Sequence, residues 1–239
     1  MIRNDADSGP GRLLEWARAA GVPVREIRAD EGEQVPTDAR AVDGLVLLGG
    51  GLLPDQDDDA PWLADERALT ASALEHGLPL LGICLGGQLL AHVGGGRVEG
   101  DHGLPERGVT ELALRPEATE DELLGALAAS RAASGAPVVA IESHRDQMTA
   151  LPADAVWLAS SERTTHQAFR LGSRAWGLQW HPEATAAKVA GWDRAVLRSQ
   201  GFDPDEVVRV ARERDAELEH TWRPVFERFL ALLPRAADA

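Results

Sequence analysis

Apolar residues along this chain gather into short unbroken runs, separated by glycine-rich or polar turns and by stretches with helical spacing. Asp43-Gly44-Leu45-Val46-Leu47-Leu48 and Leu78-Pro79-Leu80-Leu81-Gly82-Ile83 have strand length and no polar alternation, the pattern of strands buried on both faces of a parallel sheet. Val138-Val139-Ala140-Ile141 reads as another strand, and residues 155–160, 167–171 and 174–180 read as three consecutive ones, with Gly172-Ser173 as a two-residue hairpin loop between the last two. Val109 to Leu114 alternates like a half-exposed strand, Met1-Ile2-Arg3 is a strand stub, and Val22 to Ile27 is a short strand followed by a polar loop over 30–39. Between these runs, the spacing predicts helices over 12–20, closed by Gly21, and over 61–76, closed by Gly77. Further helices are predicted after residue 84, over 119–134 and over 185–199, and Asp203-Pro204-Asp205-Glu206 is a capped start for the C-terminal helices. Strands alternating with helices define an α/β protein with a parallel sheet. No linker or repeat divides it, so the expectation is one domain over 1–239, with a C-terminal helical extension over about 186–239.

Chemistry concentrates at two of these junctions. At the first, the strand ending at Gly82-Ile83 runs into Cys84, the only cysteine, and then into Leu85-Gly86-Gly87-Gln88 and the Leu89/Leu90/Val93 helix pattern. Glycines at 82, 86 and 87 allow a sharp strand-to-helix turn that holds a thiol out of the sheet, at a helix N-terminus whose dipole and unpaired N–H groups favour negative charge. This is the cysteine form of a nucleophile elbow, in which the N–H of the next residue, Leu85, serves as an oxyanion donor. A free cysteine is more commonly a small buried hydrophobe; the flanking glycines argue otherwise here. The same stretch, Gly77 to Gly96, is uncharged and long enough to span a bilayer, but Pro79, Gly82, Gly86 and Gly87 break it and no basic residues flank it.

At the second junction, an apolar strand leads to Gln179-Trp180-His181-Pro182-Glu183. In extended backbone, residues two apart share a side, so Glu183 can orient His181 while the other ring nitrogen faces the thiol. Cys84, His181 and Glu183 would then act as nucleophile, base and orienting carboxylate. His144, at the end of the Val138 strand, is a second candidate base, with Asp146 as its nearest following carboxylate.

Together, Gly82-Ile83-Cys84-Leu85-Gly86-Gly87-Gln88 and Gln179-Trp180-His181-Pro182-Glu183 resemble the class I, triad-type glutamine amidotransferases, particularly stand-alone members similar to the glutaminase domain of GMP synthase. Leu48-Gly49-Gly50-Gly51 and the Glu-x-Gly at Glu106 and Gly108 fit the same family. The resemblance implies a flavodoxin-like three-layer sandwich with a central, mostly parallel sheet. It implies hydrolysis of the glutamine side-chain amide through a γ-glutamyl thioester, with an oxyanion hole at Gly50 and Leu85. Gln88, Ser143 and His144 would bind the substrate. No cofactor and no metal are called for, and the ammonia would pass to a separate synthetase subunit. Two other readings are a hydrolase of a different γ-glutamyl compound and a non-catalytic regulatory subunit with the same fold.

Composition narrows the partners. A formal net charge of −15 disfavours a nucleic-acid partner. A single cysteine excludes an internal disulfide and any cysteine-based zinc site, and with no targeting segment in view at the N-terminus it fits a reducing cytoplasm. Asp55, Asp57, Asp59 and Glu66 partly imitate a calcium loop, but Ala60 stands where the sharp-turn glycine belongs, so a solvated acidic loop is expected.

Overall fold

The computed structural model describes residues 1–234; residues 235–239, the end of the expected helical extension, lie outside the described residues. In chain order the elements are β1 (Ile2–Arg3), α1 (Gly11–Ala19), β2 (Ile27–Arg28), β3 (Leu45–Leu47), α2 (Trp62–Glu75), β4 (Leu80–Ile83), α3 (Leu85–Val93), β5 (Arg97–Glu99), β6 (Glu106–Leu114), α4 (Gly125–Ser134), β7 (Val138–His144), β8 (Gln147–Ala150), β9 (Val156–Ser160), β10 (Ala168–Leu171), β11 (Ala175–Leu178), α5 (Ala186–Ala190), α6 (Arg194–Ser199) and α7 (Pro204–Ala231).

Nine strands form one sheet in the order β2-β1-β3-β4-β11-β10-β9-β6-β7, and β5 pairs with β8 in a small ribbon. Neighbours from β2 through β11 are parallel and the rest antiparallel, so β10 and β6 alone oppose the others, leaving seven of the nine strands in one direction. The uninterrupted apolar runs are explained by burial on both faces. Val46, Leu48, Leu81, Ile83, Trp176 and Leu178 pack with α1 and α7 on one side, while Leu45, Leu47, Leu80 and Ala175 pack with α2 and α3 on the other. Helices on both faces of a mostly parallel sheet are the expected α/β sandwich. No helix among the described residues is long and apolar enough to cross a membrane.

Several local expectations change. The strand over 22–27 shrinks to Ile27–Arg28, since Pro23 has no N–H to give to a ladder. The helix over 119–134 begins only at Gly125, because extended Asp121 turns its carboxylate onto the N–H groups of Leu123 and Leu124. The helix over 185–199 is two, α5 and α6, separated at Gly191-Trp192 and restarted by Asp193, which accepts from Ala195 and Val196 N–H. The β10–β11 loop is Gly172-Ser173-Arg174, because Leu171 pairs with Ala175; Gly172 supplies a φ of 62°. Residues 97–108, read as a loop or hairpin, contribute β5 and the start of β6. The Asp203 start holds: its carboxylate accepts from Asp205 N–H and opens a single 28-residue helix.

Glu66 is not part of a calcium loop. It faces inward from α2, fully buried, where one carboxyl oxygen accepts from Asn4 Nδ2 at 3.3 Å and the other has no hydrogen-bond partner among the described residues; Asp57 instead pairs with Arg67 at 2.7 Å. Burial pushes the Glu66 carboxyl up to about 8, only partly offset by Asn4. Folding therefore takes up a proton above the ordinary range of a glutamate, and stability falls as pH rises from that range through about 8. Glu66→Gln is expected to remove up to about 5 kcal/mol of that decline, so the variant outlasts wild type in urea at pH 9 and converges on it near pH 5. Parallel stability–pH curves for the two proteins would contradict this.

Candidate active site

Three adjacent parallel strands end side by side. Leu47 of β3 is in register with Gly82 of β4, and Leu178 of β11 with Ile83, so the loops after these strands emerge at one C-terminal edge, where α/β sheets place their ligands. Gly49 and Gly50 follow β3, Cys84 follows β4, and His181 follows β11.

Cys84 occupies the turn between β4 and α3 with φ 51° and ψ −110°, a conformation rarely adopted by a side-chain-bearing residue. It is over-determined by its surroundings: Cys84 N–H donates to Leu178 O at 2.7 Å, and Gln88 N–H closes the first turn of α3 onto Cys84 O at 2.9 Å. The glycines are required by space. A Cβ on Gly82 would lie 2.3 Å from Gly86 O, and one on Gly86 would lie 2.1 Å from Leu47 O. Leu85 is the first residue of α3, so its N–H lacks an intrahelical acceptor.

His181 Nδ1 lies 2.6 Å from Glu183 Oε1. The pair forms on a turn, with Ala184 N–H donating to His181 O at 3.2 Å, and not on the extended backbone expected from the sequence. The other ring nitrogen, Nε2, is buried without a hydrogen-bond partner among the described residues. Burial alone would push the imidazole pKa down; the Glu183 charge, with the neighbouring Cys84 thiol, outweighs it and holds the group well above its ordinary value. Glu183→Gln preserves shape and removes that charge, so the His181 titration followed by NMR is expected to move to lower pH, and turnover to fall by about 10² to 10⁴. An unmoved titration would show that Glu183 does not set the charge state of the ring.

The sheet curls, and β7, its far edge, returns to the site: His181 N–H donates to Ile141 O at 2.8 Å. This brings in Ser143 and His144. His144 is held by a carboxylate other than Asp146: its Nε2 lies 3.1 Å from Glu106 Oε2, and 3.4 Å from Glu142 Oε2, which has no hydrogen-bond partner among the described residues. Asp146 instead accepts Asp101 N–H and offers its backbone oxygen to Gln88. Glu106, Glu142 and His144 form a fully buried cluster, tied further by Ser161 and Gln167. Burial, then the charge of Glu106, drives the Glu142 carboxyl well above its usual range.

A cavity of about 440 Å³ opens over the thiol; Gly50, Cys84, Gln88, Ser143, His144 and His181 all line it. A second, of about 420 Å³, lies on the Glu183 side of His181, and the two share Asp7, Ser8, Arg107, Ser143, His181 and Val196. Two residues without a role in the sequence reading stand out. Buried Gln179 donates from Nε2 to Cys84 Sγ at 3.6 Å and accepts from Gln88 Nε2 at 3.2 Å, so an amide chain joins Gln88 to the thiol. Its place two residues before His181 was the available signal. Arg107, the middle residue of the Glu-x-Gly, lines both cavities; strand alternation beside buried Glu106 could have suggested that it faces elsewhere, but not what it faces.

An α/β sandwich with a thiol elbow facing a histidine–carboxylate pair defines the general class. The model of the family described as glutamine amidotransferase class-I matches residues 9–190, and the chain belongs to that family, whose members are enzymes acting on glutamine. GMP synthase (glutamine-hydrolyzing) of Porphyromonas gingivalis is 38% identical over 154 residues, covering 63% of this chain and 26% of that protein. The glutamine amidotransferase-like protein YfeJ of Salmonella typhimurium is 31% identical over 195 residues, covering 80% of this chain and 77% of its own. The chain thus spans about a quarter of the first of these relatives and most of the second. The crystal structure of a glutamine amidotransferase from Methylobacillus flagellatus superposes with a TM-score of 0.84 at 27% identity, covering 99% of this chain and 95% of the other.

Proposed function

We propose that this protein hydrolyses the side-chain amide of glutamine through a γ-glutamyl thioester on Cys84. The observation that carries the reading is the elbow thiol beside His181, whose ring is bonded to Glu183 at 2.6 Å. Cys84 sulfur attacks the amide carbon, and the oxyanion is met by the N–H groups of Leu85 and Gly50. The His181 imidazolium gives its proton to the departing ammonia; the neutral ring then takes a proton from water, which attacks the thioester and frees glutamate. Gln88, Ser143 and His144 line the substrate side. Ammonia would pass to a separate synthetase partner, a reading supported by the match of this chain to about a quarter of the Porphyromonas GMP synthase. A reducing cytoplasm suits a reaction that needs a free thiol.

A second reading, hydrolysis of another γ-glutamyl amide, is favoured by the 420 Å³ cavity beyond His181, far larger than ammonia needs. The deciding experiment is glutamate and ammonia release from glutamine by the purified protein, run beside a panel of γ-glutamyl amines. Equimolar glutamate and ammonia from glutamine, with slower turnover of the amines, is the expected result. Turnover of the amines alone supports the second reading. Inertness toward all of them, with Cys84 unlabelled by a chloroketone analogue of glutamine, would overturn both and leave a non-catalytic subunit.

A further inference from the structure

Among the described residues, Arg107 is a half-buried cation without a carboxylate partner, in a strongly acidic chain of net charge −15. It sits on β6 opposite Ser143 of β7. Its partners among the described residues are neutral: Nη1 donates to Ser143 Oγ at 2.5 Å and Nε to Gln200 Oε1 at 2.8 Å. Nη2 donates to no group among the described residues and is not sealed from solvent by them. The other cations lining the two cavities are already paired, Arg145 with Asp101 at 3.2 Å and Lys188 with Asp7 at 3.2 Å. Burial makes the guanidinium's charge costly to hold, an expense a purely structural latch would not need.

The geometry suits an incoming carboxylate. Ser143 and Gln200 fix the plane of the guanidinium, and Arg107 lines the cavity that also holds Cys84, so its terminal nitrogens can offer a planar fork to a carboxylate bound there. When the thiol attacks the side-chain carbonyl of a γ-glutamyl group, the α-carboxylate carbon lies four C–C bonds farther on, about 5 Å in extended form. Gln88 is poorly placed to supply the same recognition through its amide N–H groups, since Nε2 already donates to Asp146 O and Gln179 Oε1 at 3.2 Å each. Gln200 lies at the end of α6, beyond the matched segment 9–190, so the C-terminal region helps to aim the fork.

We propose that Arg107 recognises the α-carboxylate of the γ-glutamyl substrate. This rests on the reading that Cys84 attacks γ-glutamyl amides. The test compares L-glutamine with its α-amide, in which the α-carboxylate is a neutral carboxamide. Wild type is expected to prefer glutamine about 100-fold in kcat/KM, the loss residing in KM, and Arg107→Gln to remove that preference by lowering kcat/KM for glutamine far more than for the α-amide. Arg107→Lys retains part of the preference. A preference undiminished in Arg107→Gln, or an equal loss on both substrates, overturns the proposal; should Arg107→Gln fail to fold, undiminished preference in Gln200→Ala and in Arg107→Lys alike does the same. Calorimetric binding of L-glutamate separates this from failure of the catalytic reading. If wild type hydrolyses neither substrate yet binds glutamate at least tenfold more tightly than Arg107→Lys, the carboxylate site stands and the Cys84 chemistry falls. Equal binding by the two overturns the site.

Discussion

Cys84→Ser is expected to lower glutamine hydrolysis by a factor of about 10⁴ or more while leaving the melting temperature nearly unchanged. The activity falls because serine at this position is a far weaker nucleophile beside the same imidazole, and no other thiol exists in the chain to replace it. The fold survives because the substitution is close to isosteric and the new hydroxyl inherits the Gln179 Nε2 donor. The turn itself is set by Leu178 O and by the glycines around it, not by sulfur. Glutamate release under saturating glutamine, with circular dichroism melts of both proteins, checks both halves. Activity within tenfold of wild type would show that Cys84 is not the nucleophile, whatever else the site does.

Gly86→Ala should produce the largest structural effect of any single methyl group. Its Cβ would stand 2.1 Å from Leu47 O and 2.6 Å from Leu47 C, both in the backbone of β3, where no rotamer change can relieve the clash. Relief requires β3 to part from α3, and β3 carries Gly49 and Gly50 at its end, so packing and the oxyanion loop fail together. A loss of about 4 kcal/mol or more is expected, enough to leave little folded protein at 37 °C. Gly51→Ala is the control: nothing lies within 4 Å of the Cβ it would add, so its stability should stay within about 1 kcal/mol of wild type. Equal melting temperatures for the two variants would mean that α3 can back away from the sheet at little cost.

The residues that meet at the candidate site were individually readable, whereas the company they keep was only partly so. Cys84 is marked by its glycines, and His181 and Glu183 by their position at the end of an apolar strand. Asp146 is the nearest carboxylate after His144 along the chain, yet Glu106 bonds the ring, because β6 lies antiparallel to β7 and sets Glu106 opposite His144. Glu66 fell into a calcium-like spacing; helix α2 instead rotates it under Asn4, away from the aspartates.

What the sequence determined by itself is the local syntax: apolar runs buried on both faces, the glycine-flanked elbow, and the Asp203-Pro204 helix start. These depend on backbone sterics, capping and hydrophobic period, all of which act within a few residues. Only the tertiary structure decided that β11 returns to lie parallel to β4, and that the sheet curls far enough for Ile141 O to receive His181 N–H. It alone decided that Arg107, between two cavities, has no carboxylate partner among the described residues. Those outcomes depend on which distant surfaces bury one another, and residue spacing along the chain carries no measure of that.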